Sequence, residues 1–196
     1  MKVLVIYCHP NPESFTAAVR DTVLARIGNK AEVRVRDLYA EDFQPLLTRE
    51  ELANHYDPSN VEPVKDHVED LKWCDTLILI YPTWWYGLPA MIKGWLDRVM
   101  LPEVAFLMPD AVNTNIRPGL THIERLAVFT TYGASWWLTR FIGAPGRRTI
   151  LRGVRLLCAK RCRTAFATHY LMDSSTPESR KRHLDRVARK TDRLIA

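Results

Sequence analysis

The chain has few cysteines, no apolar run of membrane-spanning length and neither of the glycine spacings that cradle nucleotide phosphates. Each absence removes a class of protein. Four cysteines in 196 residues, Cys8, Cys74, Cys158 and Cys162, are too few and too scattered for a disulfide framework, so reduced thiols are expected. Cys158 and Cys162 sit one helical step apart and could form half of a metal site. No second ligand pair has matching spacing, so they read as two small apolar residues near a helix end, and no metal is expected. No stretch approaches about 18 uninterrupted apolar residues. The segment Met1 to His9 lacks the charged region, apolar run and small-residue cleavage site of a signal peptide. The expectation is a cytoplasmic protein without membrane insertion. Because G-x-G-x-x-G and Walker A spacings are both missing, a Rossmann NAD site and a P-loop nucleotidase are disfavoured. No internal repeat or low-complexity tract is present.

With 47% hydrophobic and 26% charged residues, residues 1–196 suit one globular domain with a sizeable core. Net charge is +6, and the basic residues concentrate after position 140, at Arg147, Arg148, Arg152, Arg155, Lys160, Arg161 and Arg163. The terminal segment interleaves Glu178, Asp185 and Asp192 with its bases. That is the pattern of a solvated helix face rather than of a nucleic-acid surface, and phosphate-bearing small molecules account for part of the excess more simply.

Val3 to Tyr7 is an apolar strand, and Ser14 can cap a following helix that carries Phe15, Val19, Val23 and Ile27 and stops at Gly28. Residues 31–36 alternate as an edge strand should. A helix over about 63–73 places Val64, Val68 and Leu71 on one face. The run 76–81 is a strand of the kind buried on both faces, and the helix after Pro89 aligns Ile92, Trp95, Leu96 and Val99. From Leu101 to His122, Pro102, Pro109, Pro118 and Gly119 forbid a regular element, leaving a long functional excursion. A strand over 126–131 follows, then an irregular Trp- and Arg-rich segment, a helix near 149–159 and a strand over 164–170. Thr176, Pro177 and Glu178 open a terminal helix with a stripe of Leu184, Val187, Ala188, Thr191, Leu194 and Ile195. Five strand and helix alternations give an α/β three-layer sandwich, whose five-stranded parallel sheet fits the flavodoxin-like order 2-1-3-4-5. In that order the loops after Tyr7, after Tyr81 and after Thr131 share one crevice.

The second of those loops is the most informative. Pro82 stops the strand, and Trp84, Trp85 and Tyr86 then fall where ligands bind in open α/β sheets. The functional reading is a platform for a planar ring system; the alternative is that Trp84 and Trp85 plug a gap between helices. The first loop, Cys8 to Phe15, puts His9 and the capping Ser14 beside a helix start, whose free N–H groups and dipole favour a phosphate. The third loop, Thr130 to Ser135, supplies small residues and backbone N–H groups, with Gly133 permitting close approach.

The first loop with His9, Ser14 and Phe15, the span PTWWYGLPAMIKGWLDRV from Pro82 to Val99, and the TTYG of residues 130–133 together resemble the NAD(P)H:quinone oxidoreductases, the DT-diaphorase-like family with the flavodoxin-like fold. The resemblance covers nearly the whole chain. It implies a flavin oxidoreductase with ping-pong hydride transfer from NADH or NADPH to a quinone or related acceptor. By position it implies that His9, Ser14, Phe15 and Thr16 hold phosphate and ribityl, and that Pro82, Thr83, Trp84, Trp85, Tyr86, Thr131, Tyr132 and Gly133 hold the ring. The spacing of His9 to Ser14 and Phe15 points to FAD, with FMN the alternative. Family members carry a Tyr and a His after the third-loop turn. Here Ala134 to Arg140 contains no His, which leaves Tyr132, Trp136 or Arg140 as substitutes, or the flavin with backbone dipoles alone, and Tyr132 is the catalytic candidate. The excursion 101–122 and Trp136–Trp137 are expected to wall the substrate face, and a homodimer with the site near its interface is implied. Arg147 and Arg148 either meet the phosphate of NADPH or face solvent. The rival implied by related proteins is an ancillary subunit of a potassium efflux system, or an electron-carrier module; the basic charge disfavours the carrier.

Overall fold

Val3 to Tyr7 are all fully buried, where a strand with one wetted face would alternate. The computed structural model, which describes residues 1–196, accounts for this: Lys2–Tyr7 is strand β1, inside a five-stranded parallel sheet covered on both faces. Helix α1 (Phe15–Ile27) starts where Ser14 Oγ accepts the Ala17 N–H and ends at Gly28, whose φ of 47° suits a residue without Cβ. Strand β2 (Glu32–Asp37) is half exposed at one sheet edge. The short α2 (Arg49–Ala53) is held by a reciprocal capping box of Thr48 and Glu51, and Arg98 donates to the Glu51 carboxylate at 2.8 and 2.6 Å. After a 3₁₀ turn at Pro58–Val64 come α3 (Lys65–Trp73), β3 (Thr76–Pro82) and α4 (Ala90–Val99), the last with Pro89 at its N-cap.

The excursion after α4 contains one two-residue antiparallel pair, β4 (Phe106–Leu107) with β5 (Arg117–Pro118). Strand β6 (Arg125–Thr131), helix α5 (Trp136–Ile142), helix α6 (Pro145–Arg148), strand β7 (Arg163–His169) and helix α7 (Pro177–Ile195) complete the chain. Sheet order is β2-β1-β3-β6-β7 with all neighbours parallel, which is the expected 2-1-3-4-5 order once the small pair is set aside. Alternate strand residues enter two cores. Leu4, Ile6, Leu77, Leu79, Leu126 and Val128 pack against α3, α4 and the excursion, while Val3, Val5, Ile78, Ile80, Ala127 and Phe129 pack against α1 and α7. No helix is long and apolar enough to cross a membrane.

Two expectations need correction, and a third gains a residue. The segment after β6 is not irregular, because Ser135 caps α5 by accepting from Leu138 N–H and Gly143, at φ 95°, closes it. The helix placed near 149–159 is α6 continuing as a π-turn at Thr149–Gly153 and a 3₁₀ turn at Val154–Leu157; Pro145 starts it earlier, and Cys158 is already extended. On α7 the expected stripe does face the core, with Val187, Thr191 and Leu194 buried and Leu184 and Ile195 packed against it, and His183 joins it as a buried residue that the stripe did not include.

His183 packs edge-on to His169 with ring centroids 5.6 Å apart and tilted against Phe15 at 5.8 Å, and neither of its ring nitrogens has a hydrogen-bond partner. Burial, with the charges of His169 and Arg186 adding to it, pushes its pKa down from 6.5 to about 4. The folded state therefore favours neutral His183, and the unfolded chain takes up the proton first. Its contribution to stability is full above pH 6.5 and is lost as pH falls from 6.5 towards 4. We expect the urea midpoint to drop between pH 7 and 4.5 in the native protein and to drop less in His183→Leu. An equal drop in both proteins would exclude His183 as an acid-sensitive element.

Candidate functional site

The parallel ladder does not stop where the strands do. Cys8 N–H donates to Ile80 at 3.0 Å, Thr83 N–H to Thr131 at 2.8 Å and Tyr132 N–H to His169 at 2.7 Å. The loops leaving β1, β3 and β6 are thereby held side by side at the carboxyl edge of the sheet, where crevices form in such folds. A cleft of about 730 Å³ opens there. The loop after β7 joins them as a fourth wall.

From the first loop, His9, Phe15 and Thr16 line the cleft. The Phe15 and Thr16 amides, the first two of α1, have no partner within the chain, as expected of a helix start that has only one side-chain cap. Ser14 departs from its expected place. Its hydroxyl is spent on the Ala17 amide and lies 3.5 Å from the Tyr7 hydroxyl, so it builds the helix start and does not line the cleft. The His9 Nδ1 accepts from Asn11 N–H at 3.0 Å, which puts the proton of the neutral ring on Nε2, and burial lowers the pKa of this ring.

Pro82, Thr83, Trp84, Trp85 and Tyr86 form the second wall. Gly87 N–H donates back to the Trp84 carbonyl at 3.0 Å, and both central residues are left-handed, Trp85 at φ 48° and Tyr86 at φ 61°. Positive φ at both centres is the mark of a type I′ turn, which selects Asn-Gly and penalises a side chain by about 1–2 kcal/mol per residue. Bulky aromatics here are strained. Trp85 is 95% exposed and Trp84 42%, so neither plugs a gap between helices; Trp95 is the fully buried tryptophan.

The third wall is Thr131, Tyr132, Gly133 and Ala134, with Leu138 of α5 beside them. The Gly133 and Ala134 amides are unpaired. Tyr132 is buried and stacked on Tyr170 with ring centroids 5.6 Å apart, and burial raises its phenol. Met172 and Asp173 supply the fourth wall, on the 3₁₀ turn after Leu171. The Asp173 Oδ2 lies 3.1 Å from where a Cβ on Gly133 would be, so a side chain at 133 would press on this carboxylate.

Eleven of the twelve expected site residues thus share one cleft, all but Ser14. Leu138, Met172 and Asp173 were not foreseen. For the last two the signal was the rule already applied to three loops, since β7 also ends at this edge. The excursion 101–122 contributes nothing to the cleft, because Leu101, Val104, Ala105 and Leu120 are drawn into the core on the α3 and α4 side. Trp136 and Trp137 do not line it either; they stand exposed beside Leu138. The arrangement suits a flat ligand with a polar edge and an anionic tail: an aromatic turn faces one side, and free amides await acceptors at two places.

A family model described as flavodoxin-like fold matches residues 1–194. An uncharacterized NAD(P)H oxidoreductase of Haemophilus influenzae is 33% identical over 138 residues, which are 69% of this chain and 66% of that protein. The ribosyldihydronicotinamide dehydrogenase (quinone) of Pongo abelii is 28% identical over 136 residues, 60% of this chain and 59% of that protein. The chain spans less than two-thirds of the length of these curated relatives. The crystal structure of Smu.1420 from Streptococcus mutans UA159 superposes with a TM-score of 0.87 at 26% identity, covering 99% of this chain and 100% of that one. On its sequence match and its topology together, the chain belongs to the flavodoxin-like fold family, among relatives named NAD(P)H oxidoreductases and quinone dehydrogenases.

Proposed function

We propose that this chain is a flavin-dependent NAD(P)H:quinone oxidoreductase with its flavin in the carboxyl-edge cleft. The observation that carries this reading is the opposition, within one cleft, of an aromatic turn in a strained conformation and two separate pairs of unpaired amides. Strain of that kind persists where function needs the side chains. The names of the curated relatives support the same reaction class.

In this reading the Phe15 and Thr16 amides and His9 hold phosphate. The side chains of Trp84, Trp85 and Tyr86, with Pro82 and Thr83, face the ring. Thr131 and the Gly133 and Ala134 amides meet its polar edge, where fixed N–H dipoles stabilise the negative charge that reduction adds. A bound flavin supplies two-electron transfer in two half-reactions, from a nicotinamide and then to a quinone. Tyr132 holds its proton throughout, since burial raises its phenol. FAD is favoured over FMN because a second basic cavity of about 260 Å³, lined by His169, Arg182, His183 and Arg186, adjoins the first through Phe15. A homodimer is supported by Trp136, Trp137 and Phe141 on α5, which are 57%, 65% and 83% exposed beside the cleft.

Titrating the purified protein with FAD and with FMN tests the central statement; fluorescence quenching at about one flavin per chain is expected, and no quenching by either would end it. Replacing Trp85 with Asn and Tyr86 with Gly relieves the turn and removes the platform. That variant should gain about 1–2 kcal/mol of stability while losing tenfold or more in flavin affinity. Retained affinity would show that the aromatics serve something else.

Light scattering at micromolar concentration should report a dimer, with Trp137→Ser combined with Phe141→Ser shifting it to monomer. A native monomer with full activity counts against the interface. His9 sits below 6.5 and the Tyr132 phenol above 10, so kcat/KM with a benzoquinone acceptor should be flat from about pH 7 to 9. Tyr132→Phe should slow turnover without introducing an inflection. An inflection in that window that vanishes in His9→Gln would relocate the proton transfer to His9.

A further inference from the structure

Helices α5 and α6 carry a basic cavity of about 290 Å³ separate from the flavin cleft. Arg140, Arg147, Arg148 and Arg152 line it, with Thr164 of β7 at its end. None of the four guanidiniums pairs with a carboxylate. Elsewhere this chain does pair arginines that hold elements together: Arg34 and Arg36 share Asp70, and Arg98 meets Glu51. Arg148 and Arg152 stand four residues apart within one helical run, a like-charge spacing that destabilises a helix unless an anion intervenes.

The cavity is built as well as charged. The backbone leaves α5 through Gly143 at φ 95°, where a Cβ would lie 3.2 Å from Arg148 Nη1, so glycine lets this guanidinium lie against the helix end. Arg147 is fixed over the Phe166 ring at 4.8 Å and Arg140 over the Trp136 ring at 5.5 Å. Position relates this cavity to the cleft. Gly146 packs against the Gly87 backbone at the end of the aromatic turn, with 3.2 Å left for any Cβ, and Leu138 on the helix that carries Arg140 lines the cleft itself.

Resting on the oxidoreductase reading, we propose that this cavity receives the 2′-phosphate of NADPH, so that the chain prefers the phosphorylated nicotinamide to NADH. A phosphomonoester dianion needs several planar donors converging from more than one element, and guanidiniums meet it in bidentate fashion. Arg147, Arg148 and Arg152 come from α6 and the turn that continues it, and Arg140 comes from α5.

The test separates phosphate recognition from turnover by measuring, on the flavin-loaded protein, calorimetric binding of 2′,5′-ADP and of 5′-AMP. Wild type should bind 2′,5′-ADP at least tenfold more tightly. In Arg148→Gln combined with Arg152→Gln that preference should vanish, and KM for NADPH should rise tenfold or more, with KM for NADH, flavin absorbance and melting temperature unchanged. Equal binding of the two nucleotides by wild type overturns the proposal, as does an equal rise in both KM values. Displacement of 2′,5′-ADP by inorganic phosphate at equal concentration also overturns it, as a site for anions in general. An arginine-dependent preference for 2′,5′-ADP in a protein that neither nicotinamide reduces supports the cavity assignment and removes the oxidoreductase reading instead.

Discussion

Three backbone hydrogen bonds carry the parallel ladder past the strand ends, from Cys8 to Ile80, Thr83 to Thr131 and Tyr132 to His169, and the cleft depends on them. They set the height at which each loop leaves the sheet. A one-residue slip would exchange the residues sent to the two cores, so that side chains packed for one helical layer would meet the other. In β3, Leu77 and Leu79 face one helical layer while Ile78 and Ile80 face the other, and both sets are fully buried. A sheet that must satisfy two cores has one register available. The loops inherit that rigidity.

The loops themselves are less comfortable than the scaffold. Trp85 and Tyr86 occupy left-handed backbone suited to Asn and Gly, and Trp85 keeps nearly all its surface in water. Four amides at Phe15, Thr16, Gly133 and Ala134 lack partners. None of this helps folding. The buried strands and capped helices around it hold these loops in place despite that cost.

Charge follows the same division. The arginines that pin structural elements reach carboxylates: Arg26 meets Asp192 to join α1 to α7, and Arg34 and Arg36 meet the buried Asp70 of α3 to join it to the β2 edge. On α5 and α6 the arginines lie on aromatic faces or into an open cavity. An unpaired arginine beside a cleft is free to meet an incoming anion, whereas a paired one has already met its counter-charge.

Strands at 3–7, 76–81 and 126–131 were legible in the sequence because burial on both faces leaves an uninterrupted apolar run. Ser14, Gly28 and Thr176 announced helix ends because capping is chemistry within three or four residues. The aromatic loop was legible for the same local reason, with Pro82 and Pro89 bracketing it. Ser135 and Gly143 carried equally local signals for α5, hidden by the tryptophans between them. Other features have no local cause. The Ser14 hydroxyl turns away from the cleft because Ala17 and Tyr7 lie beneath it, and Asp173 reaches Gly133 only because β7 is the neighbour of β6. His183 is buried because α7 packs over Phe15 and His169. Capping, turn and strand preferences are energies of neighbours along the chain and can be read from it. A cleft, a buried histidine and an unpaired arginine arise from which distant elements are brought together, and that belongs to the folded molecule alone.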